Sequence, residues 1–251
     1  MRVLALLLSF LVLACGGEEK KQTSGEVLVV GTEPEFKRFE TKNADGELVG
    51  FDIDMVKELG KELGREIRFE EMEFTGLIPS LLNGKIDIIV SGMTATEKRA
   101  KKVTFSESYF QTKLCLLVNV NSGIEKSSDA NGKTIVVKQG TTGQMNVGVL
   151  FPDSKVEVLT GEADCANLVA SGRADAFLYD HLSIFEAAKK HKSTTRAIYE
   201  SLSEEPYAMA MRKEDTELHE QVNAFVRKFR EDGRLAKLKQ KWMGDIPDAI
   251  R

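Results

Sequence analysis

Short, β-branched apolar runs alternate along this chain with longer amphipathic stretches, and that alternation predicts its elements. Val27-Leu-Val-Val30 is an apolar run ended by Gly31, and a polar loop with two aromatics, Thr32 to Phe39, follows it. Asn43-Ala-Asp-Gly46 is turn chemistry. Met55, Val56, Leu59 and Leu63 recur at helical spacing, with Asp54 placed as the cap. Ile67-Arg-Phe69 predicts a second strand, and Leu77 to Leu82 a helix closed by Asn83-Gly84. Ile86, Ile88, Ile89 and Val90 form a run that is β-branched throughout, which suits a strand buried on both faces of a parallel sheet. Gly92 ends it, and Thr94-Ala-Thr-Glu97 is a Thr-x-x-Glu capping pattern for the next helix.

From Lys113 the alternation restarts. Leu114 to Val118 and Thr134-Ile-Val-Val137 predict strands, the second running into Gln139-Gly-Thr-Thr-Gly143. Val156-Glu-Val-Leu159, a helix over Glu162 to Val169 and the strand Ala176-Phe-Leu-Tyr-Asp180 complete a second α/β unit, and Tyr207 to Met211 adds one more strand. Leu218 to Phe229 and Leu235 to Trp242 are amphipathic helices that need a surface to pack on. Strands alternating with helices of about ten residues imply right-handed βαβ units and mostly parallel sheets. Polar, turn-rich linkers suited to a domain break lie around Tyr109–Lys113 and Ser203–Pro206. Two crossings divide the chain into residues 26–110 with 206–251 as one unit and 111–205 as the other.

The stretch from Ile86 to Arg99 carries the first candidate chemistry. A strand, a turn and a capped helix leave free N–H groups at the carboxyl end of the strand, backed by the positive end of the helix dipole. That arrangement suits an anion. Arg99, five residues past Thr94, can return over the first turn with a planar two-donor fork that fits a carboxylate. The plainer alternative is that Thr94 only caps and Arg99 makes a surface pair.

Composition narrows the classes. At 251 residues and 42% hydrophobic content the chain can bury one large or two modest cores. A net charge of −4, with no basic patch interleaved with aromatics, argues against nucleic acid as a partner. Residues 1–14 read as a secretory signal: one early cation, Arg2, then an apolar run to Leu13 that is too short to span a bilayer. Val12-Leu-Ala-Cys15 resembles the lipobox of bacterial lipoproteins, which implies lipidation at Cys15, although Leu13 is bulkier than the usual residue there. Residues 15–25 then form a solvated tether. The protein is expected to be exported, to the periplasm or cell surface, and held at the membrane by its lipid. Cys115 and Cys165 are open to either a disulfide or two separate buried thiols.

Several motifs in order resemble one family. Gly50-Phe-Asp-Ile-Asp-Met-Val-Lys-Glu-Leu-Gly-Lys-Glu-Leu63 is similar to a signature of the solute-binding proteins that feed polar-amino-acid ABC importers, the extracellular solute-binding family 3. Leu77-Ile-Pro-Ser-Leu81, Asp87 to Thr94 with Glu97-Lys-Arg99, Phe105-Ser106, Gln139-Gly-Thr-Thr142, Gly172-Arg-Ala-Asp175 with Asp180, and Asp232-Gly233 with Lys241-Trp242 follow in the family's order. The resemblance covers residues 26 to 246 and implies a periplasmic-binding-protein-like fold: two α/β lobes joined by two hinge strands, with the ligand in the cleft. It implies Arg99 as the clamp on the ligand α-carboxylate, aided by Thr94 and the backbone at Gly92, with Thr142 contributing from the second lobe. It implies Asp180 as the partner of the α-ammonium, and Phe36 and Phe74 as rings that sandwich the aliphatic chain. Glu33 falls where relatives read the end of the ligand side chain, with Asp52 assisting, and Lys138 also faces the cleft. Glu33 alone favours lysine, arginine or histidine; Glu33 with Lys138 can read an amide such as glutamine. Arg38 stands where a proline is common, which leaves the path of that loop open.

The implied partners are a free polar amino acid and a membrane permease, for a monomer without cofactor or metal. Some relatives of the fold are enzymes, including a cyclohexadienyl dehydratase, and Glu33, Lys138, Tyr179 or Asp180 could nominally serve as acid or base. No nucleophile and base pair or metal-spaced cluster stands out, and His181, His191 and His219 are scattered, with His181 read as a solvent-facing neighbour of Asp180. No catalytic residue is assigned. A sensor that presents the ligand to a separate receptor is the other alternative.

Overall fold

The computed structural model describes residues 27–247 and Ile250. The secretory signal, Cys15 and the tether lie outside the described residues.

The chain folds around two five-stranded sheets. It begins with β1 (Val27–Thr32), a small antiparallel meander of β2 (Glu35–Phe36), β3 (Glu40–Lys42) and β4 (Leu48–Val49), then α1 (Phe51–Leu63) and β5 (Glu66–Glu71). Next come α2 (Phe74–Leu82), β6 (Ile88–Ile89), the single turn α3 (Glu97–Ala100) and β7 (Thr104–Phe105). The second unit holds β8 (Phe110–Asn119), β9 (Thr134–Lys138), α4 (Thr142–Leu150), β10 (Lys155–Leu159), α5 (Glu162–Ala170), β11 (Ala176–Asp180), α6 (His181–Lys190) and β12 (Thr195–Tyr207). The chain then returns through β13 (Ala210–Met211), α7 (Thr216–Glu231) and α8 (Arg234–Met243).

The first sheet has the order β5-β1-β6-β13-β7 and the second β10-β9-β11-β8-β12. Each has a parallel half, as the βαβ pattern predicts, but β13 runs antiparallel to β6, and β8 and β12 run antiparallel within the second sheet. The sheets are therefore mixed rather than mostly parallel, because in each one strand next to a crossing, β13 in the first and β8 in the second, runs against both of its neighbours. In the second lobe the apolar strands are buried on both faces: Leu114, Leu116, Val118, Ile135, Val137 and Leu178 fill one side, and Cys115, Leu117, Val136 and Phe177 the other. Cys115 and Cys165 are both buried and both free, so the two-thiol alternative is the one observed.

The two crossings are more ordered than turn-rich linkers. β8 and β12 pair antiparallel from Gln111 opposite Pro206 to Asn119 opposite Thr195. The ladder continues into the first lobe through Tyr109 N–H to the Tyr207 carbonyl at 2.9 Å and Ala208 N–H to the Met93 carbonyl at 3.0 Å. Two polar segments side by side satisfy each other's backbone groups, which overrides their turn propensity. Pro206 is tolerated because β12 is an edge strand. Phe36, Phe39, Phe51, Phe110 and Tyr207 knit this junction, with Phe39 at 5.0 Å edge-on to Phe110 and 5.3 Å edge-on to Tyr207.

Three local expectations are corrected. α1 starts at Phe51 with Gly50 as its N-cap, where φ is 146° and a Cβ would sit 1.9 Å from the Phe39 carbonyl oxygen. Asp54 instead accepts from Trp242 Nε1 at 2.8 Å and Lys241 Nζ at 2.7 Å, tying α1 to α8. Thr96, not Thr94, caps α3, accepting from Arg99 N–H at 3.2 Å, and α3 is one turn only, so its dipole is no substantial anion site. His181 is buried; its Nδ1 lies 2.7 Å from Thr112 Oγ1, and burial pushes its pKa down to about 4.

Candidate functional site

The carboxyl ends of β1, β6, β9 and β11 converge between the lobes, the position where an open α/β sheet presents its loops. A small cavity of about 20 Å³ lies there, lined by Glu33, Phe36, Phe74, Gly92, Thr94, Arg99, Thr142 and Asp180, together with Glu40, Ser91, Thr141 and Tyr179. Eight residues expected from the sequence are thus brought to one place; Asp52 and Lys138 stand behind it.

Arg99 returns over its turn as its spacing suggests. Nη1 donates to the Thr94 carbonyl at 2.7 Å, and Nη2 reaches across to the Gly140 carbonyl at 3.0 Å, so one guanidinium touches both lobes. Its plane lies over the Phe74 ring, 5.3 Å from the centroid. Arg99 is 5% exposed, and burial lowers its pKa to about 10 against the opposing fields of Glu205 and Asp180. The guanidinium stays charged at neutral pH with donor capacity to spare.

Gly92 is fixed by the chain reversal after β6. Its φ is 50°, and a Cβ there would meet Phe36 Cε1 at 2.4 Å. Its N–H donates to Asp52 Oδ2 at 2.8 Å, which also accepts from the Tyr109 hydroxyl at 2.8 Å. Asp52 therefore braces the site from beneath. Glu40, equally buried, accepts from Ser91 Oγ at 2.8 Å. Burial raises both carboxyls, Asp52 to about 6 and Glu40 well above its ordinary value, with the neighbouring Asp52 adding to the rise at Glu40.

On the second lobe, Thr141 caps α4 and Thr142 opens it, so their amides stand at a helix N-terminus facing the cleft. Asp180 ends β11 and is 7% exposed. The neighbouring Tyr207 hydroxyl faces the Asp180 carboxyl and works against the rise that burial imposes on it. Burial raises the Asp180 pKa to about 8.

Lys138 and Glu33 form a pair across the lobes at 2.5 Å, with side chains 1% and 6% exposed. Glu33 Oε1 also accepts from Phe74 N–H at 3.2 Å. Burial raises the Glu33 pKa, and the Lys138 ammonium opposes that rise. Ser91, Glu40, Thr141 and Glu205 were not singled out from sequence, and Tyr179 was named only as a nominal acid or base. Tyr179 and Ser91 carried a usable signal, since each is next to an expected residue at a strand end.

The sequence matches the family described as "Bacterial extracellular solute-binding proteins, family 3" over residues 28–245. It is 31% identical over 245 residues to the arginine-binding extracellular protein ArtP of Bacillus subtilis, covering 96% of this chain and 95% of that one. It is 30% identical over 266 residues to the ABC transporter glutamine-binding protein GlnH of the same organism, covering 98% and 97%. An ancestral arginine-binding protein bound to arginine superposes with a TM-score of 0.83 at 36% identity, over 88% of this chain and 99% of that one. An ancestral arginine-binding protein bound to glutamine superposes with a TM-score of 0.82 at 36% identity, over 88% of this chain and 99% of that one. An ancestral amino-acid-binding protein described as a precursor of cyclohexadienyl dehydratase superposes with a TM-score of 0.78 at 36% identity, over 86% of this chain and 94% of that one. The two-lobed fold, the family signature along almost the whole chain and these relatives agree: the protein belongs to the bacterial extracellular solute-binding proteins of family 3.

Proposed function

We propose that this protein captures a free polar L-amino acid between its lobes and delivers it to an ABC importer permease, and that glutamine is the ligand its charges fit best. The Lys138–Glu33 pair is the observation that carries this reading. Arg99, with Thr142, Thr94 and Gly92, binds the α-carboxylate, and Asp180 binds the α-ammonium, so a zwitterion balances both. Phe36 and Phe74 flank the aliphatic stem. A carboxylate already paired with an ammonium has no unmet charge for a lysine or arginine head. It can accept from an amide NH2 while Lys138 donates to the amide oxygen, satisfying all four groups. Splitting the contacts between the lobes makes closure depend on ligand.

We extend the proposal to the rest of the chain. Residues 26–110 with 206–251 form one lobe and 111–205 the other. Residues 1–14 direct export, Cys15 carries lipid, and the mature protein acts as a monomer at the periplasmic or cell-surface side of the membrane. It is a binder rather than an enzyme, because the acid, lysine and arginine in the cleft are all committed to pairs or to the zwitterion.

A thermal-shift panel of the standard amino acids on the soluble mature chain lacking Cys15, stripped by unfolding and refolding, tests the ligand. Glutamine at about 100 times its dissociation constant should add roughly 2.7 kcal/mol, a shift of several degrees. A shift with arginine, lysine or histidine alone removes the amide assignment, and no shift with any amino acid removes the amino-acid reading.

Binding should also release a proton. In the unfolded chain Asp180 titrates near 3.8, whereas the folded protein holds its proton to about 8. The native state therefore binds more protons in that window, and this group's contribution to stability falls as pH rises across it. The ligand ammonium requires the carboxylate, so affinity should drop about tenfold per pH unit below 8. Calorimetry at pH 6.5 in two buffers of different ionisation enthalpy should register about one proton released. Release of none, with affinity flat in pH, assigns the ammonium to another group.

A further inference from the structure

Arg38 is the feature the site does not use. It is the single non-glycine residue with positive φ among the described residues, at 76°. A proline cannot adopt that angle, so the loop left open by the missing proline takes a path of its own. A non-glycine residue persists there when its surroundings over-determine it. Arg38 Nε donates to Glu186 Oε1 at 2.9 Å, Nη2 also reaches Glu186 Oε1, and the same guanidinium donates to Asp245 Oδ1 at 2.6 Å and Oδ2 at 3.0 Å. Nη1 further donates to the Trp242 carbonyl at 2.7 Å. Lys37 Nζ donates to the second oxygen of Glu186.

These groups come from three places. Lys37 and Arg38 lie on the β2–β3 loop of the first lobe, Glu186 on α6 of the second, and Trp242 and Asp245 at the C-terminal end of the first. Arg38 and Glu186 are each 9% exposed, and neither lines the ligand cavity. The pair is largely withdrawn from solvent screening and bidentate in part, the geometry in which charge pairs hold rather than merely decorate.

We infer that Arg38 and Lys37, clasping Glu186 across the lobes, determine how long a captured ligand is retained, although none of the three touches it. The inference rests on the amino-acid reading above for its ligand, but the clasp itself does not. Ligand escapes only when the lobes part, so every contact made only in the closed form slows release and raises apparent affinity through the closed fraction. Removing a buried charge partner acts mainly on the off-rate.

Trp242 is the sequence's single tryptophan, and its carbonyl is an Arg38 partner, so its emission serves as a nearby probe of movement at that end of the clasp. The experiment compares the soluble mature chain with Glu186→Gln, and with Lys37→Met as a milder change at a side chain that is 62% exposed. Without ligand, Glu186→Gln should show a larger radius of gyration by X-ray scattering and altered Trp242 emission. With glutamine, or whichever amino acid shifts the melt, stopped-flow release should quicken about 10- to 100-fold while association changes only a few-fold. Lys37→Met should quicken release several-fold. A folded Glu186→Gln with wild-type compactness, emission and release overturns the inference. If Glu186→Gln does not fold, Lys37→Met decides alone, and unchanged release overturns it. If no amino acid binds, the ligand-free arm still decides for or against the clasp.

Discussion

Replacing Arg99 by alanine is expected to abolish useful affinity while leaving the fold in place. In the proposed site the guanidinium meets the ligand α-carboxylate from the first lobe, and it reaches the Gly140 carbonyl on the second. Loss of a buried, hydrogen-bonded charge partner costs about 2 to 5 kcal/mol in binding, roughly 30- to several-thousand-fold in dissociation constant. Titration calorimetry reads this directly. Arg99→Lys should fall between, since it keeps the charge but loses the planar fork. The vacated space accompanies a lost contact with the Phe74 ring, so a modest fall in melting temperature is also expected. Retained tight binding in Arg99→Ala removes the site assignment.

Replacing Lys138 by methionine is expected to change which amino acid binds. Methionine keeps most of the aliphatic length but leaves Glu33 buried without its ammonium. The bare carboxylate is costly, about 3 to 5 kcal/mol by comparison with other broken buried pairs, so the ligand-free variant should melt earlier. A ligand with a cationic side chain supplies the missing charge. The ratio of glutamine to arginine affinity should therefore fall by about 100-fold or more, with arginine or lysine producing the larger thermal shift. Glu33→Gln in the same background should erase the gain, because a neutral amide offers nothing to a guanidinium charge. If glutamine remains preferred and basic amino acids gain nothing, the pair is structural and the amide reading falls.

Much of this site was legible in the sequence because its residues sit at ends of elements that local pattern already marks. Gly92 and Thr94 follow the apolar run of β6, Thr142 opens a helix after a glycine turn, and Asp180 closes a strand. The strand and helix alternation gave the two α/β units for the same reason. Local capping was less legible. Thr94 and Asp54 both satisfied cap chemistry on paper, but Thr96 and Gly50 took those places, since backbone packing at Phe39 and Tyr207 shifted each helix start by a few residues. His181 was misplaced because one polar residue after a strand end carries no sign of which lobe will cover it. The mixed direction of the sheets was hidden as well, because an apolar strand reads the same whether its neighbour runs with it or against it.

The sequence by itself determined the periodicities, and with them the helices, the buried strands, the glycine turns and the residue types available at strand ends. Those depend on interactions within a few residues, where the spacing of side chains is fixed by the backbone. Tertiary structure decided which charges meet. Lys138 pairs with Glu33 from 105 residues away, and Arg38 with Glu186 from 148. No local pattern encodes such distances. The strength of each pair and the raised pKa values of Glu40 and Asp180 come from burial that exists only in the assembled fold. Desolvation is a property of the assembled protein, so the chemistry that selects and holds a ligand is settled there.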